Sequence, residues 1–207
     1  MDKIFPSHIY KFNIDTDINK DLISEIYQLK EKDPKGLRRT NRGGWHSDTS
    51  NSKFKELSKL LSEIVCRKIL NLDDDIFPGD IWANINPKDS FNMPHIHNAA
   101  YFSGVYYVKV PENSGNLFFV NPFFFRQLVM EEKKRQDIIF ELDKFTDRYW
   151  SLIRAVEYEP KEGDVYFFMG NTPHAVSKNL NDDDRISISF NFNIDDFEEI
   201  IKGDSNG

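Results

Sequence analysis

Five side chains between positions 95 and 187 have the types and spacing to hold a metal ion and an anion. His95 and His97 stand two apart in Met93-Pro94-His95-Ile96-His97-Asn98, and a third histidine follows in Thr172-Pro173-His174. Arg185 lies eleven residues beyond His174, with Ser187 two residues further on. Neutral imidazole suits divalent transition ions, and neutral is its ordinary state near pH 7. Residues i and i+2 of an extended strand project to the same face, so His95 and His97 can turn inward together. The forked guanidinium of Arg185 and the hydroxyl of Ser187, again two apart, offer donors to one carboxylate. The combination is a metal site beside an anion-binding pair, which is the equipment of an enzyme. The chain has only five histidines, and three fall at these two places. His8 and His46 read as non-ligands; His46, beside Trp45, reads as a solvent-exposed loop residue, with a place at the border of the site as the alternative.

The elements that must position these groups are legible from periodicity. Ile18, Leu22, Ile26 and Leu29 recur every three to four residues and predict a first helix. Thr16 and Asp17 can cap its start, and Asp33-Pro34 with Gly36 stops it. A polar stretch from Leu37 to Ser52 contains Gly43-Gly44-Trp45-His46-Ser47. A second helix is predicted from about Ser52 to Leu70, with Phe54, Leu57, Leu61, Ile64 and Val65 on one face. From Asp80 the period becomes two. Strands are predicted at Ile81–Asn86, Tyr101–Val110, Asn116–Val120, Ser151–Tyr158, Asp164–Met169, His174–Ser177 and Arg185–Ile194. The last strand alternates cleanly, with Arg185, Ser187, Ser189, Asn191 and Asn193 on one face and Ile186, Ile188, Phe190, Phe192 and Ile194 on the other. The segment from about 125 to 149 is rich in Glu, Lys and Arg and reads as a helical insertion over one end of the sheet. Two helices followed by closely spaced short strands predict an antiparallel barrel or jelly roll with helical support. Closure of such a barrel brings the remote strand edges that carry the histidines together at its open mouth.

Composition narrows the class. A chain of 207 residues is expected to form one domain around one core, for which eighteen Phe supply ample material. We read residues 1–79 as helical support, 80–194 as the β core and 195–207 as a tail. The net charge of −7 argues against a nucleic-acid platform, which needs concentrated Lys and Arg. The single cysteine, Cys66, excludes an intramolecular disulfide and reads as a small buried hydrophobe. No apolar run approaches the roughly 20 residues that span a bilayer. The start, Met-Asp-Lys-Ile-Phe-Pro, lacks the apolar core of a signal peptide, so a cytoplasmic protein is expected, or one of the host cytoplasm if phage-encoded.

Pro94-His95-Ile96-His97, His174 and Arg185-Ile186-Ser187 together resemble the Fe(II)/2-oxoglutarate-dependent oxygenases. That superfamily carries an H-x-D/E motif, a distal His and an Arg-x-Ser about ten residues later on a double-stranded β-helix. The flanking text matches as well. Ser103-Gly104-Val105-Tyr106-Tyr107-Val108 and Ser114-Gly115-Asn116-Leu117-Phe118-Phe119 resemble the paired strands after the first motif. Gly163-Asp164-Val165-Tyr166-Phe167-Phe168 resembles the strand before the distal histidine. More narrowly, the chain is similar to a family of 2-oxoglutarate/Fe(II) oxygenases known mainly from bacteria and phages. The resemblance covers about residues 80–194. It implies a mainly β, double-stranded β-helix (jelly roll, cupin-like) core. It also implies Fe(II) held by His95, His97 and His174, and 2-oxoglutarate as co-substrate with its C5 carboxylate on Arg185 and Ser187. The implied reaction is hydroxylation of an unidentified substrate by dioxygen, with release of succinate and CO2. Tyr106 is a candidate for a further hydrogen bond to 2-oxoglutarate, and Trp82 and Asn84 for the barrel lining.

This chain departs from the family pattern at His97, which stands where the carboxylate ligand is expected. Three neutral ligands leave an Fe(II) centre at +2 rather than +1, a charge that the 2-oxoglutarate dianion neutralises; alternatively His97 does not ligate and water fills its position. Two rival readings remain open. A cupin-type metalloenzyme without 2-oxoglutarate shares H-x-H and a later histidine, but places a Glu where this chain has Tyr101 and Phe102. A catalytically silent module of the same fold, serving structure or binding, is the other. Partners implied are dioxygen and a substrate, with no nucleic acid and no membrane; association into a homo-oligomer is left open. The 125–149 segment and the Gly43–Ser47 loop are where substrate selection is expected.

Overall fold

The computed structural model describes residues 7–49, 54–122, 155–193, 195 and 197. The helical insertion expected at 125–149 and most of the tail lie outside the described residues. Two antiparallel sheets face each other. Strands β1 (Ile9–Asn13), β3 (Trp45–His46), β4 (Asp80–Asn86), β6 (Ala100–Lys109), β9 (Asp164–Met169) and β11 (Arg185–Asn193) form the larger, in the order β1-β9-β6-β11-β4-β3. The smaller contains β2 (Asn41–Arg42), β5 (Phe91–His95), β7 (Leu117–Val120), β8 (Ala155–Tyr158) and β10 (His174–Val176), in the order β2-β5-β10-β7-β8. This mainly β architecture with supporting helices is the double-stranded β-helix that the sequence predicts.

The first helix, α1 (Asn19–Lys32), buries Leu22 and Ile26. Its start differs from the expected cap: a 3-10 turn at Thr16–Ile18 precedes it, and Asp15, not Thr16 or Asp17, accepts a backbone N–H, that of Asp17, at 3.2 Å. At the other end the indole of Trp45 donates to the Asp33 carbonyl at 2.8 Å, tying the polar stretch to the helix. The second helix, α2 (Lys55–Glu63), continues as a π-helical turn through Ile64–Leu70 and ends on left-handed Asn71. Cys66 is fully buried there and accepts the backbone N–H of Ile76 at 3.3 Å. Among the described residues no helix is long and apolar enough to cross a membrane.

The two faces of the large sheet explain the clean alternation of β11. Its apolar face, Ile186, Ile188, Phe190 and Phe192, joins Ile81, Ala83 and Ile85 of β4 and Phe102, Tyr106 and Val108 of β6 in the main core. That core packs outward against Leu22, Ile26, Leu57 and Leu61 of the helices. The polar face therefore points into the barrel, where a water-facing surface would not be expected. A second, smaller cluster, containing Val105, Tyr107, Leu117, Phe119, Tyr166 and Phe168, fills part of the space between the sheets. The rest of the interior is a cavity. Gly104 makes room at the junction of β6, β9 and β11, since a Cβ there would run into the Phe190 ring and the Tyr166 carbonyl.

Candidate metal centre and anion pocket

β5 and β10 are neighbours in the small sheet, and their register sets His95 directly opposite His174. The two rings lie 4.2 Å apart between centroids. β5 ends at His95, so His97 is held by the turn that follows. Its backbone N–H donates to the Gly170 carbonyl at 2.8 Å, and its own carbonyl accepts from Ala100 at 3.2 Å. Gly170 permits that approach, because a Cβ there would stand 2.7 Å from the His97 carbonyl oxygen. The His97 ring stacks on His174 with centroids 5.1 Å apart and an 8° interplanar angle. The ligand atoms of His95, His97 and His174 all lie within 4.8 Å of one another.

The protonation pattern of this cluster follows from its partners. Nδ1 of His95 is 2.8 Å from the Met93 carbonyl, and Nδ1 of His174 is 2.9 Å from the Thr172 carbonyl. A carbonyl only accepts, so the proton belongs on Nδ1 in both, and Nε2 carries a lone pair. Nε2 of His97 faces Nε2 of His174 at 3.3 Å. Two nitrogens sharing one ion at about 2.1 Å stand about 3.0 Å apart in octahedral and about 3.4 Å apart in tetrahedral geometry, so this pair has a spacing that a common ion can bridge. Burial disfavours the charged form throughout. It pushes His95 down to about 4 and, with His95 and His46 nearby, His97 down to about 3; His174 is also well below its ordinary value, first from burial and then from the other two rings. Three neutral imidazoles, two oriented by backbone carbonyls, fit a divalent transition ion.

A cavity of about 380 Å³ between the sheets joins this cluster to Arg185 and Ser187, a size ordinary for small-molecule sites. Arg185, 1% exposed, donates from one guanidinium nitrogen to the Ser114 carbonyl at 2.7 Å. No carboxylate among the described residues pairs with it, and burial lowers its pKa. Beside it the hydroxyl of Tyr107 is buried with no hydrogen-bond partner, and burial raises its pKa so that it stays protonated. A buried guanidinium and an orphaned hydroxyl in one cavity fit an anionic ligand. Ser187, 6% exposed, lines the same cavity.

Tyr106 requires a correction. Its hydroxyl donates to Asn19 Oδ1 at 2.6 Å, and Asn19 in turn donates to the Val108 carbonyl at 2.9 Å. Tyr106 thus sits on the outer face of β6, fastening α1 to the sheet, and is not among the cavity-lining residues. Tyr107 takes the inner position. His46 is also corrected: it is 6% exposed rather than solvated, lines the cavity, and stacks on Trp82 at 5.5 Å and 10°. Trp82 itself lies 5.8 Å from the His97 ring, and Asn84 lines the cavity while donating to Ser189 at 3.1 Å. Trp82 and Asn84 are therefore in the barrel lining, as expected.

The fold and cavity define an antiparallel double-stranded β-helix with a three-histidine cluster and a buried arginine. A family model described as "Putative 2OG-Fe(II) oxygenase" matches residues 80–191, more than half of the chain. The chain belongs to this family of 2-oxoglutarate/Fe(II) oxygenases. Its fold is similar to a prolyl-4-hydroxylase of Pseudomonas putida at 15% identity, covering 89% of this chain and 91% of that one with a TM-score of 0.59. It is similar also to HygX of Streptomyces hygroscopicus with nickel, 2-oxoglutarate and hygromycin B bound (12% identity, 90% and 83% coverage, TM-score 0.63). A third similar structure is a Trichoplax adhaerens prolyl hydroxylase in complex with a hypoxia inducible factor peptide fragment (12% identity, 92% and 86% coverage, TM-score 0.58). At these identities the likeness is one of fold. No curated protein matches the chain.

Proposed function

We propose that the chain is an Fe(II)- and 2-oxoglutarate-dependent dioxygenase that hydroxylates a small polar substrate or one residue of a larger one. The observation that carries this reading is the joining, in one cavity, of three neutral imidazoles with a buried guanidinium that pairs with no carboxylate among the described residues. His95, His97 and His174 are the residues to hold the metal. Arg185 and Ser187, joined by Tyr107, are the donors for the far carboxylate of 2-oxoglutarate. When bound, metal and co-substrate supply the oxidising chemistry, in which 2-oxoglutarate and dioxygen give succinate and CO2 as a substrate C–H becomes C–OH.

The protein's own contribution is geometry and exclusion. The Met93 and Thr172 carbonyls fix the ring orientation of His95 and His174, so both present Nε2 to the same point. Aromatic packing by Phe168, whose ring is 4.6 Å from His174, keeps water from the back of that ligand. The cavity is lined also by Thr40, His46, Asp80, Trp82, Asn92 and Asn191. That lining offers several hydrogen-bonding groups and one aromatic wall, which suits a polar substrate over an apolar one. The helices serve the site indirectly by covering the outer face of the sheet that carries Arg185, and on this reading the whole chain works as a single oxygenase domain. A cupin-type centre without 2-oxoglutarate leaves Arg185 and the Tyr107 hydroxyl without a role. Phe102, where a cupin carries its Glu ligand, is packed in the main core.

Consumption of 2-oxoglutarate tests the proposal. Purified protein with Fe(II), ascorbate and 2-oxoglutarate in air is expected to form succinate slowly without added substrate, and Arg185→Ala to reduce that rate more than tenfold. Absence of succinate from wild type and variant alike, with iron shown to be bound, would contradict it.

A further inference from the structure

The charge inventory of the cavity is lopsided. All three candidate ligands are neutral, and the groups that orient two of them are backbone carbonyls, not carboxylates. Arg185 adds a buried positive charge, which among the described residues pairs with no carboxylate and donates to the Ser114 carbonyl. Tyr107 remains protonated. Asp80 is the one carboxylate among the lining residues, and it lies at the far end of β4. It pairs across the sheet with Asn191, six residues along β11 from Arg185. At about 3.3 Å per residue that is roughly 20 Å of strand from the arginine. A divalent ion entering alone therefore raises the charge carried by these inner groups from +1 to +3 beside a buried guanidinium. A dicarboxylate entering alone meets one buried cation, Arg185, since Arg39, the other arginine that lines the cavity, is exposed. Together the ion and the dianion return the inner cavity to +1, its value before either binds.

We propose that His97 makes metal and dianion binding mutually dependent in this protein, so that the centre holds a divalent ion tightly only with a 2-oxo dicarboxylate whose far end reaches Arg185. The inference rests on the reading above that His95, His97 and His174 hold the metal. A carboxylate at position 97 would compensate one charge of the ion permanently, and the ion would then need the dianion less. An imidazole leaves that compensation to the co-substrate. His97 is thus a specificity determinant, selecting a dianion over a monoanion through the metal. The linkage is reciprocal: whatever factor the dianion adds to metal affinity, the metal adds to dianion affinity. Coupling of about 30-fold lies inside the ordinary range for linked sites, roughly 5- to 150-fold.

The test uses the full chain, stripped of metal, and Ni(II) as a redox-stable probe. Its dissociation constant is measured calorimetrically alone, with saturating 2-oxoglutarate and with saturating pyruvate, which has the same 2-oxo acid head but no second carboxylate. Solution complexes of nickel with each acid are subtracted by control titrations. The expected result is tightening of about 30-fold with 2-oxoglutarate and less than about threefold with pyruvate. His97→Asp is expected to bind nickel alone more tightly than wild type and to show coupling below about fivefold. Arg185→Ala is expected to lose most of the coupling without weakening nickel binding on its own. Equal nickel affinity with and without 2-oxoglutarate in wild type overturns the inference even if His97→Asp does not fold, and so does undiminished coupling in a folded His97→Asp. The parent reading fails differently: His174→Ala would then bind nickel as well as wild type does.

Discussion

At the scale of single residues, what matters is which side chains are left without a partner. Tyr107 and Tyr106 are adjacent in sequence, yet one hydroxyl is orphaned in the cavity and the other is bonded to Asn19. Tyr107→Phe is expected to weaken 2-oxoglutarate binding by about 1–2 kcal/mol and to leave the melting temperature unchanged or higher, since it removes an unsatisfied buried group. Tyr106→Phe is expected to do the reverse, costing about 1–3 kcal/mol of stability with dianion binding intact. Paired calorimetry and thermal melts check both. The sequence could not separate the two tyrosines because Val105 to Val108 is apolar or aromatic throughout, with no alternation to mark a face. The cross-strand register does separate them, since Tyr107 pairs with Ser187 inside the barrel and Tyr106 with Ile188 outside. The histidine cluster predicts a pH dependence of the metal-free protein. His95 and His97 are held at about 4 and about 3 in the fold, while in the unfolded chain they titrate near 6.5. Between those values the unfolded chain binds more protons, so the contribution is fully present above about pH 7 and is lost as pH falls through 6.5 toward 4. The urea midpoint of wild type is expected to fall over that window more steeply than that of His97→Gln; parallel profiles would show that His97 is not buried and neutral as described.

At the scale of elements, β11 is the strand on which both core and site depend. Its outward face supplies Ile186, Ile188, Phe190 and Phe192 to the main core, and its inward face supplies Arg185 and Ser187 to the cavity. Truncating Phe190 to Ala is expected to cost about 3–5 kcal/mol of stability, measured by urea unfolding, without moving the polar face. A milder probe is Gly104→Ala, whose new methyl meets the Phe190 ring and the Tyr166 backbone. It is expected to destabilise by at least about 1–3 kcal/mol, and Phe190→Leu should restore only part, because the backbone contact remains. The alternation of β11 was visible in the sequence because every second residue changes class over nine positions. β4 was legible from its own alternation, and β6, β7 and β9 from short apolar runs closed by turn residues, within a residue or two. β1, β2 and β3 were not, since the last two have only two residues each and are defined by partners far along the chain. Missing β3 is also why His46 read as solvated. Its pairing with Asn84 is what turns it into the cavity, and no local pattern encodes that pairing.

At the scale of the whole molecule, β4 and β11 turn their apolar faces outward under two helices and their polar faces into a cavity that the inner aromatic cluster fills only in part. That arrangement suits a jelly roll to a charged co-substrate, with the arginine and the three histidines lining one cavity. The remote pairing of His95 with His174 was foreseeable only because barrel closure brings strand edges together, and the resemblance of the flanking strands made the closure specific. The substrate was not foreseeable, because the residues around the mouth come from segments with no shared period. The most direct measurement of the central claim is an anaerobic spectrum. Adding Fe(II) and then 2-oxoglutarate to the metal-free protein should develop a weak visible charge-transfer band, present in Tyr106→Phe and absent in His174→Ala. Wild-type protein that binds both iron and 2-oxoglutarate yet shows no such band would contradict the account.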